Sequence, residues 1–509
     1  MNIETLKSLV SPLQTMGPEI RRFGGLTDDS RTVEPGDLFV AVRGSITDGH
    51  HYVRNALERG AGGVLAEVLP DVLAADYPNV WFARIEDTRS ILGPLAHAWY
   101  GHPSRELKMM GVTGTNGKTT VATLIWQLSE AAGERCALLG TTGKWFGRDA
   151  EPSRLTTSGP VELARDLRTA IDRGCERLVM EVSSHALDQE RTQGVEWDVA
   201  GFTNLSHDHL DYHQTMERYA AAKRKLFEQL PTDATAVLHL DDPYGAYMAD
   251  ACRSRVQQFS FEQDADVRCI LERSGPDGQT LKIGSRTVQT PLVGAYNAQN
   301  LVTAMLMCDA TGLSLDRLIP LASRATGAPG RLERVEPMHR SPGSGADTSP
   351  LLPTVFVDYA HTPDALEQVS KALAEIKPTG STFILVFGCG GDRDRSKRPE
   401  MARAAELHAD RIVLTSDNPR MEDPDAILDE IMHGFSSNLP VTRIVSRKEA
   451  IQTTIRTAPD GALVLIAGRG HETEQQAGGR RIPLDDRIEA RRALEERLSN
   501  SAPSEEATC

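Results

Sequence analysis

Gly111-Val112-Thr113-Gly114-Thr115-Asn116-Gly117-Lys118-Thr119-Thr120 is the stretch on which the fold turns. The apolar run Leu107 to Met110 leads into it, and Val121, Leu124, Ile125 and Leu128 follow at the spacing of one helix face. Strand, glycine-rich turn, Lys-Thr and helix make the layout of a phosphate-binding loop. Glycines let backbone N–H groups close around phosphate oxygens, and a helix N-terminus adds a favourable dipole. In that layout Gly114, Thr115, Asn116, Gly117 and Thr120 surround the phosphates. Lys118 holds the outer phosphate oxygens, and Thr119 offers a hydroxyl to Mg²⁺. Val112 stands where the strict pattern G-x-x-x-x-G-K-[ST] has its first glycine. A plain strand-to-helix turn has no need of Lys-Thr-Thr at the helix start.

Outward from this loop, strands and helices alternate as far as about Glu333. Residues 137–140, 178–182, 199–204 and 236–240 read as strands, which predicts a mainly parallel sheet covered by helices. Before the loop, residues 37–42 and 63–66 read as strands of a small α/β unit, with His102-Pro103-Ser104 as a linker. Residues 340–353 are rich in Pro, Ser and Gly and read as a surface insertion. A third α/β unit follows, with strands at 355–357, 383–387, 412–415 and 463–467. They run straight into Asp358, Gly388, Asp417 and Gly468. Ligands of open α/β sheets bind beyond the carboxyl ends of strands, so these endings should line one cleft. The expected organisation is α/β with three domains. A small α/β N-terminal domain covers 1–103. A central P-loop-type ATPase domain with a mainly parallel sheet covers 104–336. A Rossmann-like α/β domain covers 337–509. Residues 499–509 read as a disordered tail.

A chain of 509 residues has room for about three ordinary domains. Its net charge of −15 argues against a nucleic-acid surface and requires local cations wherever phosphate is handled. The seven cysteines are scattered, odd in number and without C-x-x-C spacing. That suits reduced thiols in a cytoplasm better than a disulfide frame or a zinc site. The N-terminus lacks the long apolar core of a secretory leader, and no apolar stretch reaches the length of a membrane span.

Leu178-Val179-Met180-Glu181-Val182-Ser183-Ser184-His185 is a buried-strand pattern ending in an acid. Beside a phosphate loop, Glu181 suits Mg²⁺, which takes hard oxygen ligands; the other reading is a helix cap. Residues 204–213 hold His207, His209 and His213 with Asp208 and Asp211. They form a metal or phosphate site, or a set of exposed histidines and capping aspartates. Lys223-Arg224-Lys225 reads as a solvated helix face, and spacing singles out none of the three. The amides of Asn297 and Asn300 read a base edge or cap a helix; Arg331 reaches a phosphate or forms a surface ion pair. Arg393 and Arg420 lie in polar loops at strand ends, and Arg forks pair with carboxylates. Gly468 and Glu472 add a third loop with a carboxylate able to receive an ammonium. Together the loops point to a pocket for a small anionic substrate.

Residues 113–120, 181–185, Asp208-His209, Lys223, 294–300 and the three C-terminal loops, in this order, resemble the Mur ligase family. These are ATP-dependent amide-bond synthetases of peptidoglycan precursor assembly, and the resemblance covers nearly the whole chain. It implies ATP and Mg²⁺ as cofactors. It implies two substrates, UDP-N-acetylmuramoyl-L-alanyl-D-glutamate and meso-2,6-diaminopimelate, joined through an acyl phosphate. It implies a cytoplasmic monomer with no nucleic-acid partner and no membrane insertion. The catalytic set would be Lys118, Glu181, His209 and Lys223. One Mg²⁺ would sit with Thr119 and Glu181, a second with His209 and a carbamylated Lys223. Asn297, Asn300, Arg331 and Asp358 would lie near the nucleotide. Asp28, Ser30, Ser45 and Thr47 would face the uridine. Thr156, Thr157, Ser183, Gln189 and Arg191 would hold the peptide end. Arg393, Asp417, Asn418, Pro419, Arg420, Gly468 and Glu472 would hold the amino acid.

Two positions depart from the family pattern. Leu155 stands where many members have Asn, and Arg469 replaces a common Lys, which keeps charge but not geometry. Arg420 decides the amino acid, because diaminopimelate has a carboxylate at its far end and lysine has none. Folylpolyglutamate synthase, a relative, is the rival; it would need neither the first domain nor the 417–420 loop. A P-loop ATPase that only switches shape is a second rival, opposed by the Arg-lined loops.

Overall fold

The computed structural model describes residues 1–18, 20–44, 47–338, 352–436 and 438–501. Ser45, most of the expected 340–353 insertion and residues 502–509 lie outside the described residues. The chain divides into two compact units. One comprises Met1–Arg268 with Val302–Leu318, the other Cys269–Leu301 with Ile319–Cys509.

The first unit opens with five short strands, β1 (Gln14–Met16), β2 (Leu26–Thr27), β3 (Leu38–Val40), β4 (Gly63–Ala66) and β5 (Trp81–Arg84). They form a sheet of order β1-β5-β4-β3-β2, parallel apart from β1. Leu38, Val64, Leu65 and Phe82 are fully buried, in cores on both faces of this sheet. Strands covered on both faces read as unbroken apolar runs, which is why β4 was legible. β3 is shorter than 37–42, because Asp37 turns aside to accept the Glu34 N–H (2.9 Å).

A second sheet follows, with β6 (Lys108–Thr113), β7 (Cys136–Gly140), β8 (Gly143–Phe146), β9 (Asp149–Glu151), β10 (Arg177–Glu181), β11 (Val199–Phe202), β12 (Thr235–His239) and β13 (Arg255–Ser260). Its order is β13-β12-β11-β6-β10-β7-β8-β9. From β13 to β7 all pairings are parallel, and β8 and β9 add an antiparallel edge. The strands expected at 178–182 and 199–204 end earlier, at Glu181 and Phe202. β6 lies between β10 and β11, with Val112 opposite Glu181 and Thr113 opposite Phe202. The turn after β6 therefore opens at the middle of the sheet. Val121, Leu124, Ile125 and Leu128 of helix Lys118–Ala131 are all buried, as their spacing predicts.

β14 (Val267–Gly275) pairs in parallel with β13 at Val267 and Arg268 and then continues, with β15 (Gly278–Ile283) and β16 (Arg286–Thr290), as an antiparallel meander that belongs from Cys269 on to the second unit. A sheet of order β17-β18-β22-β19-β20-β21 follows. It comprises β17 (Glu333–Val335), β18 (Thr354–Asp358), β19 (Phe383–Phe387), β20 (Arg411–Leu414), β21 (Val441–Arg443) and β22 (Leu463–Ala467). All are parallel except β17. Phe356, Leu385, Leu414 and Leu465 join the core on one face; Val355, Val357, Ile384, Val464 and Ile466 join that on the other. A hairpin of β23 (Glu474–Ala477) and β24 (Arg480–Pro483) precedes the last helix, Asp486–Ser501. The expected disordered tail is corrected at its start: Ser499 is still helical, and its hydroxyl donates to the Glu495 carbonyl (3.0 Å). Among the described residues no helix is long and apolar enough to cross a membrane.

Candidate active site

The turn after β6 has the backbone that its glycines suggest. Gly114 has φ +150° and Gly117 φ +86°, and a Cβ on Gly114 would collide with Thr203 Oγ1. Gly117 caps helix Lys118–Ala131, leaving the first N–H groups of the helix facing the turn. The turn is pinned from β11. Thr115 N–H donates to the Asn204 carbonyl (2.8 Å), Asn116 N–H to Asn204 Oδ1 (3.0 Å), and Thr203 Oγ1 to the Asn116 carbonyl (2.6 Å). Lys118 Nζ curls back onto the Gly114 and Thr115 carbonyls (2.8 and 2.7 Å). Asn204 and Thr203 were not singled out from sequence; their position just past β11 was the available signal.

Glu181 is buried and belongs to this cluster rather than to a distant helix cap. Thr119 Oγ1 donates to its Oε2 (2.7 Å), and Thr141 N–H donates to its Oε1 (2.7 Å). Thr119 and Glu181 thus present hard oxygens side by side, the donor type that Mg²⁺ accepts alongside phosphates and waters. No group of three or more His, Cys, Asp and Glu able to hold a metal ion occurs among the described residues.

Lys223 departs from the solvated face its sequence suggested. Helix Met216–Glu228 turns it inward, only 1 % exposed, while Lys225 reaches Asp188 at the surface (3.1 Å). Lys223 Nζ donates to the same Gly114 carbonyl as Lys118 (2.6 Å) and lies 4.6 Å from the Tyr219 ring centroid. Burial first, then the Lys118 charge, holds its amine well below the ordinary lysine range. The histidines form a ring cluster: His185 lies 5.0 Å from His209 and 5.5 Å from His213, centroid to centroid. His213 is buried, hydrogen-bonded to Ser184 Oγ (2.9 Å), and burial with His185 beside it pushes its pKa down to about 4. It packs the site. His209 has a side chain 46 % exposed and a left-handed backbone (φ +52°), and burial lowers its pKa too. An ammonium cannot ligate a cation, whereas a neutral amine, or an anion made from it, can.

Beyond β10, Thr157, Ser183, Gln189 and Arg191 are brought together. Thr157 Oγ1 donates to the Glu181 carbonyl (2.9 Å) and accepts the Ser183 N–H (3.0 Å). Arg191 bonds the Thr157 carbonyl (3.0 Å) and Gln189 Oε1 (2.6 Å). Thr156 Oγ1 lies 3.1 Å from Thr141 Oγ1, and Leu155 is exposed beside them. Asp28 and Ser30 follow β2, and Thr47 follows β3, its parallel neighbour; Thr47 accepts the Gly44 N–H (2.9 Å).

In the second unit the four expected strand endings converge. Gly468 N–H donates to the Asp358 carbonyl (3.1 Å), and a Cβ on Gly468 would stand 2.5 Å from Asp417 Oδ2. A Cβ on Gly388 would collide with the Thr415 carbonyl. Asp417 Oδ2 is buried without a hydrogen-bond partner; burial raises its pKa, with Arg447 opposing. Asn418 Nδ2 donates to Glu472 Oε2 (2.8 Å), and Arg420 Nη1 to the Gly391 carbonyl (2.6 Å). Pro419 continues the loop, and Arg393 is exposed on the neighbouring one. Arg469 turns inward, fully buried, donating to the Leu484 carbonyl (2.9 Å). Arg331 is not a surface ion pair: its guanidinium stacks 4.6 Å from the Tyr359 centroid, with Nε buried and unpartnered. Asp358 accepts N–H bonds from Leu332 and Ala360 (2.6 and 2.7 Å). Asn297 and Asn300 are buried; Asn297 donates to the Val293 carbonyl (3.0 Å) and Asn300 to Asn297 Oδ1 (3.1 Å).

Family models match three successive stretches of the chain. They describe the Mur ligase family catalytic domain (22–100), the Mur ligase middle domain (112–308) and the Mur ligase glutamate ligase domain (347–470). The UDP-N-acetylmuramoyl-L-alanyl-D-glutamate–2,6-diaminopimelate ligase of Synechococcus elongatus is 41 % identical over 513 residues, covering 98 % of this chain and 100 % of its own. A solved structure of a ligase with that description is 34 % identical, with a TM-score of 0.69 over 94 % of this chain and 95 % of its own. Folylpolyglutamate synthase of Mycobacterium tuberculosis shares the fold over 74 % of this chain and 92 % of its own, at 20 % identity and a TM-score of 0.56.

Proposed function

The chain belongs to the Mur ligase family, and we propose that it joins meso-2,6-diaminopimelate to UDP-N-acetylmuramoyl-L-alanyl-D-glutamate with hydrolysis of ATP. It is an ATP-dependent ligase of peptidoglycan precursor synthesis. One observation carries the choice of amino acid: the Asp417-Asn418-Pro419-Arg420 loop brings a guanidinium onto the carbonyl of Gly391 while Asn418 binds Glu472. Such a pocket offers an anion to the ammonium end of the incoming amino acid and a fork to its far carboxylate. We take the domains to divide near 103 and 336, and the enzyme to work in the cytoplasm as a monomer.

The D-glutamate carboxylate attacks the γ-phosphorus of ATP, forming a C–O–P bond as ADP leaves. The deprotonated amine of diaminopimelate then attacks the acyl carbon, forming the amide as inorganic phosphate leaves. In this reading Lys118 and the N–H groups at the start of helix Lys118–Ala131 neutralise the phosphoryl charge. Thr156, Thr157, Ser183, Gln189 and Arg191 hold the peptide end, so that the carboxylate approaches in line. Asp28, Ser30, Ser45 and Thr47 take the uridine side, and Asn297, Asn300, Arg331 and Asp358 the nucleotide. Mg²⁺ held by Thr119 and Glu181 would supply additional positive charge at the phosphates. Lys223 is the residue we assign to carbamylation: its neutral amine adds CO₂ and loses a proton, giving an anionic oxygen that completes a second site with His209.

The test is phosphate release with ATP, Mg²⁺ and the UDP-muramoyl dipeptide, comparing meso-diaminopimelate with L-lysine. Release with diaminopimelate alone is expected. In Arg420→Ala the KM for diaminopimelate should rise on the order of 30-fold, the worth of a charge-assisted hydrogen bond. Equal use of lysine overturns the role of Arg420; release indifferent to both amino acid and nucleotide sugar overturns the ligase.

A further inference from the structure

The β23–β24 hairpin lies outside the strand-end loops to which the amino acid was assigned, yet it touches that pocket's main chain at every residue of β23 after Glu474. Gln475 Nε2 donates to the Asp417 carbonyl (2.5 Å) and lies 3.5 Å from Ser416 Oγ. Gln476 N–H donates to Asn418 Oδ1 (2.8 Å), and Arg420 N–H donates to the Gln476 carbonyl (2.9 Å). Ala477 pairs with Arg420 as an isolated parallel bridge, and Gly478 N–H closes onto the Arg420 carbonyl (2.6 Å). Arg420 itself has φ +52°. A non-glycine residue held left-handed is strained and persists only where its surroundings over-determine it. Here the surroundings are the hairpin. Gly478 takes φ +55° at the turn, which lets its N–H reach Arg420.

The opposite side of the loop is held as firmly. Arg398, buried, bonds Glu422 Oε1 (2.8 Å) and Glu430 Oε2 (2.7 Å) and reaches the Gly390 carbonyl (3.3 Å). Met421 N–H donates to Asp392 Oδ2 (3.1 Å). The hairpin therefore holds the backbone from which the Arg420 side chain departs, the guanidinium itself being held by the Gly391 carbonyl, while Arg398 fixes the base of the loop.

We infer that β23–β24 is a specificity template for the far end of the amino acid, and that Gln475 is a positioning residue acting through Arg420. This rests on the proposed pairing of Arg420 with the distal carboxylate. The Gln475 amide holds the carbonyl of Asp417, three residues before Arg420, and so fixes where the loop starts; the β23 backbone fixes where it ends. Neither group needs to touch substrate.

Steady-state kinetics on the full chain tests it, with Gln475→Ala and the isosteric non-donor Gln475→Glu, each alone and combined with Arg420→Ala. Each single variant should raise the KM for meso-diaminopimelate about tenfold, the loss of one part-buried hydrogen bond, with kcat and the KM values for ATP and nucleotide sugar moving less than about twofold. In the Arg420→Ala background either change should add less than about twofold, because the side chain it positions is gone. If KM is unmoved in both Gln475 variants while Arg420→Ala raises it, the template role is overturned. Multiplicative effects in the double variants also overturn it, because Gln475 then acts independently of Arg420. If Arg420→Ala leaves KM unchanged, the reading of Arg420 fails and this inference falls with it.

Discussion

Lys223 and Arg420 show what a single residue can and cannot disclose. Arg420 was legible because a guanidinium in a polar loop at a strand end has a chemical meaning that does not depend on packing. Lys223 was not, because Lys223-Arg224-Lys225 offers three equivalent cations. Only the fold turns one of them onto the Gly114 carbonyl and covers it with Tyr219. Its surroundings decide its chemistry. An ammonium shielded from water and set beside the Lys118 charge is disfavoured, so its pKa falls and the free amine is favoured relative to an exposed lysine. The amine rather than the ammonium adds CO₂. Incubation with ¹³C-bicarbonate should thus give a carbamate carbon signal that disappears in Lys223→Ala. The same substitution should lower kcat by about 100-fold or more, the scale of losing one charge-stabilising group at a reacting centre. A carbamate signal unchanged in Lys223→Ala would sink the assignment.

At the scale of elements, many strands buried on both faces were legible, β5 (Trp81–Arg84) being missed, and strand ends were less so. Residues 383–387 and 463–467 were placed to the residue, because an apolar run covered on two sides stops where polar residues begin. The runs at 178–182 and 199–204 overshot. Val182 and Thr203 remain buried and each still donates one N–H to β6, Val182 to the Val112 carbonyl and Thr203 to that of Thr113, but these are the last bonds to β6, one residue past the final paired residues Glu181 and Phe202. The hairpin at 474–483 was missed, since its residues are exposed or half-buried and carry no alternating pattern. Two glycines at the ends of helix Lys118–Ala131 separate function from stability. Gly114→Ala puts a Cβ into Thr203 at φ +150°, so the turn must open and ATP affinity should be lost. Gly133 also has positive φ (+82°), with nothing within 4 Å of an added Cβ. Gly133→Ala should therefore cost about 1 kcal/mol of stability, leaving ATP affinity intact. Equilibrium binding of ATP by both variants decides it, and equal affinities would refute the pinned turn.

For the whole molecule, the α/β class and the succession of three domains were legible because strand and helix alternate along nearly the entire chain, and the two-unit division was not, because it depends on contacts distant in sequence. Stability over pH is likewise set by burial that no motif announces. His97 is 1 % exposed, its Nδ1 has no partner, and burial with His102 nearby pushes its pKa down to about 4. The unfolded chain takes up this proton near pH 6.5, the folded one only near 4. Stability is therefore whole above pH 6.5 and falls as pH drops towards 4. His213, also at about 4, works in the same direction, whereas Asp166, raised by burial to about 6, takes up a proton while folded and opposes both. Comparison with His97→Leu isolates one contribution, since the other two groups are common to both proteins. Between pH 7 and pH 5 the wild type should lose about 2 kcal/mol more than the variant. All five tryptophans, Trp81, Trp99, Trp126, Trp145 and Trp197, lie in Met1–Arg268, the stretch that also contains His97. Urea unfolding followed by their fluorescence thus reads the unit in which the effect is expected. Parallel pH dependences in the two proteins would mean that His97 becomes charged while folded, and would remove it from the acid response.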